Sequence, residues 1–129
     1  MPSPETLEHF ISAVEGNDHA GAIERFYAPD ASMQENESEP RRGREALVAN
    51  ERAVLARMRS VTSRCVRPVF VAGDRVVIRW IFEFETHEGA TRRMEEIACQ
   101  RWEGDRIVEE KFFYDPAQLQ WKPKTKEVT

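Results

Sequence analysis

Three glutamates occupy positions from which a carboxyl group could do acid–base chemistry: Glu35, Glu96 and Glu110. The residues around Glu96 alternate with the period of two that is typical of a strand, and Arg93 and Arg101 fall on the opposite face. An ionised carboxylate on a mainly apolar face is costly unless it is paired or its pKa rises. All three are therefore candidate internal acids. Buried acids of this kind, with shifted pKa values, are candidates for acid–base chemistry.

Each of these residues also has a structural interpretation. Glu96 could pair with an arginine or lie at a solvated rim, and Tyr114 and Trp80 could be core aromatic residues whose polar atoms are satisfied. Glu110 lies near the middle of a strand whose two faces are similarly mixed, so the sequence leaves its facing open.

The remaining chemistry-capable side chains give no metal or redox pattern. His9, His19 and His87 are expected at exposed positions, and none has a partner at ligand spacing, so we expect no metal site. Cys65 and Cys99 are far apart and lack a CxxC spacing, so both are expected to be small core or sheet residues and not a disulfide. No cofactor is expected.

Helical elements come first along the chain. Ser3 is a helix cap, and apolar residues recur at helical spacing until Gly16, where the first helix is expected to end. A second, short helix is expected after Asp18, ending at Ala28-Pro29-Asp30 because a proline disfavours helical backbone before it. A third helix is expected over Arg44 to Arg59.

Strands make up the rest. A short strand is expected over Ala31 to Glu35, and four long strands separated by glycine-containing turns follow the third helix. Their expected ranges are Val61 to Val71, Arg75 to Thr86, Thr91 to Trp102 and Arg106 to Tyr114. We therefore predict one α+β domain over residues 1–129, in which three N-terminal helices pack on the concave face of a curved, mainly antiparallel sheet and enclose a pocket.

Alternation along these strands also predicts which side chains face the pocket. The helix-facing set is mainly aromatic and apolar, with one carboxyl and one amide group inside. Besides Glu96, the predicted ligand-contacting residues are Trp80, Phe82, Phe84, Met94, Gln100, Trp102 and Phe112. The opposite face alternates arginines with Val66, Ile81, Ile97 and Cys99, and a half-apolar sheet face usually finds a cover, so a homodimer through this face is predicted.

Composition limits the functional classes. The chain has 129 residues, a formal net charge of −4, 40% hydrophobic and 33% charged residues, which describes a globular domain. No apolar run approaches the ~20 residues of a spanning helix, so no membrane association is expected. The acidic balance argues against a nucleic-acid partner. The N-terminus has no signal-peptide pattern, so a cytoplasmic location is expected.

Several short motifs resemble one known superfamily. They are Phe26-Tyr27-Ala28-Pro29-Asp30-Ala31, Gly43-Arg44-Glu45-Ala46-Leu47, the strand end from Arg101 to Val108, and Tyr114-Asp115. In this order they resemble the nuclear transport factor 2-like superfamily, and within it the SnoaL-like and ketosteroid isomerase-like branches, from about Leu7 to Leu119. The resemblance implies a cone-shaped fold with an internal cavity, frequent dimers, and members that range from isomerases, cyclases, dehydratases and epoxide hydrolases to binding proteins.

The resemblance also suggests roles for individual residues. Ser38 to Gly43 is similar to a loop of ketosteroid isomerases, which places Glu35 at the position of their catalytic aspartate. The same alignment places Phe10 at the position of an oxyanion-binding tyrosine and Ala98 at that of an oxyanion-binding acid, and adds both to the predicted ligand contacts. Both donors are missing, so orthodox steroid isomerisation is not expected.

The sequence leaves several functions open. Glu35 could be a general base in an isomerase- or cyclase-type proton transfer, with Tyr114, Gln100 or protonated Glu96 as a rearranged donor. Glu35, Glu96 and Tyr114 are therefore the candidate catalytic residues. The opposing hypothesis is a pocket that binds a small hydrophobic molecule without chemistry. An epoxide hydrolase or dehydratase, and a dimerisation module with a filled interior, are further alternatives.

Overall fold

Three helices cover one face of a six-stranded sheet, and the expected α+β class is confirmed. The computed structural model describes residues 1–124. The last five residues of the expected domain lie outside this range. The elements are α1 (Pro4–Glu15), α2 (His19–Phe26), β1 (Tyr27–Glu35), β2 (Arg41–Arg42), α3 (Arg44–Ala56), β3 (Met58–Ala72), β4 (Arg75–Thr86), β5 (Thr91–Glu103), β6 (Arg106–Phe113) and a 3-10 helix over Pro116–Leu119.

The sheet is mixed and open, with the strand order β2-β1-β6-β5-β4-β3. Strands β3 to β6 form the predicted antiparallel meander, because each pair is joined by a short turn. Strand β1 runs parallel to β6, and β2 pairs antiparallel with β1. This arrangement is consistent with the cone fold. It brings the ends of β1 and β6 together, so Glu35 stands beside Phe112.

The first two helices begin at the capping residues that the sequence indicates, and they bury their apolar faces. The Ser3 hydroxyl accepts a hydrogen bond from the Thr6 backbone N–H at 3.1 Å, and Pro4 opens α1. The buried face of α1 consists of Leu7, Phe10, Ile11 and Val14. Asp18 caps α2 in the same way through the Gly21 N–H. Tertiary packing of these faces against the sheet holds the helices.

Two boundaries differ from the predictions because strand pairing overrides local propensity. Strand β1 begins at Tyr27, not Ala31, since Tyr27 pairs with Ile107 and the register shifts between Tyr27 and Ser32, which accommodates Pro29. Helix α3 ends at Ala56 and β3 starts at Met58, which pairs with Thr86.

Two elements were not predicted. The two-residue strand β2 pairs with Ser32 and Met33. The tail after Tyr114 packs on β5: the Gln118 side chain hydrogen-bonds the backbone of Glu95, and Lys122 forms a bridge with Thr91. The tail thus continues the sheet edge where β6 has ended.

Side-chain facing in the meander follows the predicted alternation. Val76, Ile78 and Trp80 on β4 are buried against the helices, whereas Arg79 and Glu83 are exposed. On the outer face, Val66, Ile97 and Cys99 are partly exposed, and Ile81 is covered. Cys65 lies in the core, and both cysteines are free. No helix within residues 1–124 has the length and apolar character that crossing a membrane requires.

Two neighbouring residues of β4 test this facing. Ile78 is fully buried, so Ile78→Ala should lower the free energy of unfolding by about 2–5 kcal/mol. Val77 lies on the outer face and is only partly buried, so Val77→Ala should cost no more than about 1 kcal/mol. Urea unfolding followed by tryptophan fluorescence measures both. Equal losses would contradict the assigned facing.

Candidate active site

A cavity of about 340 Å³ lies between the helices and the sheet. This size is within the range of small-molecule sites in proteins. Nine of the twelve sequence-predicted site residues line it: Glu35, Glu96, Tyr114, Phe10, Trp80, Phe82, Phe84, Met94 and Phe112. The structure therefore brings the three candidate catalytic residues and most of the predicted ligand contacts to one cavity.

The other three predicted residues lie outside the cavity wall. Ala98, Gln100 and Trp102 are on the inner face of β5, as alternation requires, and are almost completely buried. Phe10 packs edge-on against the Trp102 ring, with 5.9 Å between centroids, so α1 covers this end of the sheet. Alternation identified the correct face, but helix packing decides which part of that face remains open to a ligand.

Aromatic rings form one wall of the cavity. The Trp80 and Phe82 rings are stacked, with centroids 5.7 Å apart and an angle of 23° between their planes. Phe84 continues the row at 6.3 Å. Every second residue of β4 contributes to this wall because strand side chains alternate. It offers a flat apolar surface to a ligand.

Glu96 is a carboxyl group within this wall. It is the cross-strand neighbour of Trp80, on the same face of the sheet, and is 9% exposed. No hydrogen bond or ion pair to its carboxyl group is found within residues 1–124. Burial, and then the negative charges of Glu35, Glu110 and Glu51, raise its pKa to about 8, while Arg92 opposes the rise. At neutral pH Glu96 is therefore a protonated acid that can donate a hydrogen bond into the cavity.

Glu110, whose facing the sequence left open, points inward and is 3% exposed. The Tyr27 hydroxyl donates a hydrogen bond to its Oε1, and Gln100 Nε2 donates to its Oε2 at 2.6 Å. Trp102 Nε1 in turn donates to Gln100 Oε1 at 2.9 Å. Burial raises the Glu110 pKa to about 7, although the two donated hydrogen bonds lower it. Unlike Glu96, this carboxyl group is fully partnered.

Glu35 and Tyr114 lie at the mouth of the cavity. Glu35 is partly exposed and forms a 3.8 Å ion pair with Arg41, which also lines the cavity. The Asn36 side chain accepts a hydrogen bond from the Tyr114 backbone N–H, and the Asn36 backbone donates to Phe112 O, so one residue joins the ends of β1 and β6. Burial, and then the charge of Glu35, raise the pKa of Tyr114.

Arg92 closes another part of the mouth. Its guanidinium lies 5.0 Å from the Phe84 ring centroid and 4.2 Å from that of Trp121, and it donates to the Leu119 carbonyl at 3.2 Å. Leu119 itself lines the cavity. The tail beyond β6 therefore contributes to the site, and Arg92 holds it by cation–π contacts and a hydrogen bond.

His19 corrects a sequence prediction. It was expected to be exposed, but it is partly buried, lines the cavity, and its Nε2 is 2.6 Å from Ser63 Oγ. Burial lowers its pKa, although the charge of Asp18 opposes this. The position lies at the start of α2, where the helix meets the sheet, and no local pattern distinguishes that start from an exposed one. His9 and His87 are exposed as expected, and residues 1–124 contain no cluster that could hold a metal ion.

Two further acidic and basic residues of the site could have been found by periodicity. Glu51 lies on the apolar stripe of α3 and lines the cavity, and burial together with the charge of Glu35 raises its pKa. Arg92 has the same strand parity as Met94 and Glu96. In both cases the spacing indicates an inner position although the side chain is charged.

Comparison with known proteins identifies the family of this chain. A model of the SnoaL-like domain matches residues 7–110, which is most of the chain. The chain belongs to the SnoaL-like domain family. No curated protein is similar enough in sequence to be matched to it.

Solved structures show the same fold at low sequence identity. A putative SnoaL-like polyketide cyclase from Mesorhizobium loti is 23% identical, with a TM-score of 0.71 over 85% of this chain and 97% of its own. An LEH-like epoxide hydrolase from M. tuberculosis is 13% identical (TM-score 0.73; 88% and 83%). TerC, co-crystallised with polyporic acid, is 15% identical (TM-score 0.74; 89% and 92%). Other matches have NTF2-like and ketosteroid isomerase-like folds.

The raised pKa of Glu96 gives this SnoaL-like domain a predictable pH dependence. The folded protein binds the Glu96 proton up to about pH 8, whereas the unfolded chain releases it near the ordinary carboxyl pKa of 4.5. Stability should therefore fall as pH rises between these two values. Because Glu96→Gln cannot ionise, its unfolding free energy should exceed that of the wild type at pH 9 by on the order of 2–5 kcal/mol more than it does at pH 5.

Urea unfolding at both pH values measures this difference. Glu95→Gln is the matched control, since Glu95 is the preceding residue, faces outward and pairs with Arg79. The Glu95 variant should keep the wild-type pH dependence over this range. An identical pH dependence in the Glu96 variant would contradict the burial of Glu96.

Proposed function

We propose that this SnoaL-like domain binds a small, mainly apolar molecule in its cavity and transfers a proton on it, in an isomerase- or cyclase-type reaction. The observation that carries the proposal is the Glu96 carboxyl group. Glu96 is 9% exposed, its carboxyl group has no hydrogen-bond partner within residues 1–124, and it lines the same cavity as the aromatic rings. A carboxyl group on a mainly apolar cavity wall without a protein partner favours a partner supplied by the ligand.

Two acids in different environments support an acid–base pair. Glu35, ion-paired with Arg41 at the mouth, is the proposed general base. Protonated Glu96 is the proposed donor to a ligand oxygen. In the proposed step, Glu35 takes a proton from a carbon next to a carbonyl group. The electron pair of the broken C–H bond forms an enolate, and the Glu96 O–H and the Tyr114 hydroxyl hydrogen-bond the developing oxyanion.

The enolate then regains a proton at carbon from Glu35, which completes an exchange or an isomerisation without metal or redox chemistry. Separating the pKa values of two nearby acids is the usual way in which one site holds an acid and a base at the same pH. Here burial raises the pKa of Glu96, while Glu35 is partly exposed and ion-paired with Arg41.

The neighbours are compatible with this class of ligand. One was co-crystallised with polyporic acid and another is described as a putative polyketide cyclase. For this chain, the stacked Trp80 and Phe82 rings favour a flat aromatic or polyketide-like ligand of similar chemistry. The cytoplasmic location expected from the sequence remains part of the proposal.

A binding protein without catalysis is the alternative. It is favoured by Phe10 and Ala98, which replace the two oxyanion donors that the ketosteroid isomerase resemblance would require. In that case Glu96 and Tyr114 only orient a ligand. The cavity in the described structure counts against a filled interior that serves dimerisation alone.

Hydrogen–deuterium exchange of an activated ketone separates the two. With 2-tetralone as the probe, the wild-type protein should accelerate exchange of the carbon-bound hydrogens. Glu35→Gln should abolish the acceleration, because the base typically contributes 10²–10⁴-fold, a rough range. Glu96→Leu should reduce it about a hundredfold, and Glu96→Gln by less, since the amide still donates a hydrogen bond.

NMR measures the exchange rate, and Glu95→Gln on the outer face is the control that should match the wild type. Binding of the ketone without accelerated exchange would support the binding protein instead. Unchanged exchange in Glu35→Gln would remove Glu35 from the mechanism.

The outer sheet face supports the homodimer that we also propose. Val66, Ile97 and Phe113 lie in one row across β3, β5 and β6, and Arg79 of β4 is the one charged residue in that row. Phe113 is 41% exposed, and Arg79 is ion-paired with Glu95. A mainly apolar row with paired charges is typical of an interface.

Sedimentation at micromolar concentration tests the dimer. The wild type should sediment as a dimer, and Phe113→Lys should shift it to a monomer, because the ammonium group would be buried beside Lys111. Val71→Lys, at an exposed position on the other face of β3, should leave the dimer intact. A monomeric wild type would overturn the proposal.

A further inference from the structure

A buried chain of hydrogen bonds at the cavity floor is not used by the proton transfer proposed above. It links Trp102, Gln100, Glu110 and Tyr27 in that order, and only Glu110 and Tyr27 reach the cavity. Tyr27 is 2% exposed, its hydroxyl donates to Glu110, and both residues line the cavity. The direction of each hydrogen bond follows from which side-chain atoms can donate and which can only accept.

Trp102 fixes the orientation of the Gln100 side-chain amide. Its indole N–H can only donate, so the Gln100 atom that faces it must be the carbonyl oxygen. The Gln100 NH₂ group must then face Glu110 Oε2, at 2.6 Å. One Glu110 oxygen is therefore always occupied by a donor, and any proton on Glu110 must be on the other oxygen, beside the Tyr27 hydroxyl.

Two arrangements of Tyr27 follow. When Glu110 is ionised, the Tyr27 O–H donates to it, and only the lone pairs of the Tyr27 oxygen are left for a ligand. When Glu110 is protonated, its O–H donates to the Tyr27 oxygen, and the Tyr27 O–H is free to turn towards the cavity. The protonation of Glu110 therefore decides whether Tyr27 accepts or donates.

We propose that the Tyr27 hydroxyl is the polar anchor of the cavity floor, where it accepts a hydrogen bond from an N–H or O–H group of an otherwise apolar aromatic ligand, and that Glu110 sets this preference. The proposal rests on the proposed function, because it assumes that the cavity takes such a ligand. It adds a binding role for Tyr27 and a positioning role for Glu110, Gln100 and Trp102.

The groups around Glu110 determine the pH at which it gains or loses its proton, and that pH is near neutral. Tyr27 on β1 and Gln100 on β5 favour the ionised form by donating to it, whereas burial and the charge of Glu51 on α3 favour the protonated form. Glu96, the buried acid on β5, is protonated at neutral pH and so adds little charge. The resulting pKa of about 7 means that Tyr27 accepts at pH 8 and donates more often at pH 6.

Indole and benzofuran form a matched pair of probes, since they have nearly the same shape. Indole offers a hydrogen-bond donor and benzofuran only an acceptor. The wild type at pH 8 should bind indole about three- to tenfold more tightly than benzofuran, which is the effect of one neutral hydrogen bond. This preference should decline at pH 6. Tyr27→Phe should remove both the preference at pH 8 and its pH dependence, while benzofuran binding stays within about twofold.

Fluorescence or calorimetric titration measures the affinity of each protein for the two probes at pH 6 and pH 8. Thermal unfolding confirms that each variant is folded. If Tyr27→Phe does not fold, Trp102→Phe provides the second test. It removes the N–H that orients Gln100, so the amide can turn its oxygen to Glu110 and favour the protonated form. The indole preference at pH 8 should then decline although Tyr27 is intact.

Equal binding of the two probes by the wild type, or a preference that survives in Tyr27→Phe, would overturn the role of Tyr27 and leave the cavity as a ligand site. Failure of both probes to bind would count against the small-molecule function itself and would overturn this inference with it. The exchange experiment on 2-tetralone depends on Glu35 and Glu96, so its outcome separates the two proposals.

Discussion

The cost of placing carboxyl groups inside an apolar cavity is the constraint on which this structure depends. The protein meets that cost in two ways. Glu110 receives two hydrogen bonds, from Tyr27 and Gln100, and so keeps its ionised form accessible near neutral pH. Glu96 receives none within residues 1–124 and remains protonated instead. Two acids on neighbouring strands thus have different chemistry because their hydrogen-bond partners differ.

The aromatic wall strengthens this contrast. Trp80 lies beside Glu96 on the neighbouring strand and lines the same cavity, and low polarity there favours the neutral acid. At the mouth, Arg41 and Arg92 supply positive charge, and Glu35 remains partly exposed. The cavity therefore becomes more polar towards its mouth, with one polar point at the floor, where Tyr27 and Glu110 meet. Such a distribution favours ligands with an apolar body and polar groups at two ends.

Much of this arrangement could be predicted from the sequence, because the sheet has a strict period of two. Alternation in β4 and β5 identified the inner faces and placed Glu96 inside, and the meander followed from its turns. Alternation could not decide the extent of the cavity. Gln100 and Trp102 share the inner face with Glu96, yet α1 packs over that end through Phe10. Phe10 and Trp102 are about ninety residues apart in the sequence, so their contact leaves no local pattern.

The remaining differences have the same origin. The tail after Tyr114 contains no hydrophobic periodicity, yet it completes the cavity. Strand β6 ends opposite Ile97, so it does not reach the first residues of β5, and the backbone groups of Glu95 and Thr91 need other partners. Gln118 and Lys122 satisfy them, and this brings Leu119 and Trp121 next to Arg92. Unsatisfied hydrogen bonds at a strand edge therefore determine where one wall of the site lies. Leu119 lines the same cavity as Arg92 and Glu96, so the length difference between β5 and β6 decides which residues form this part of the wall.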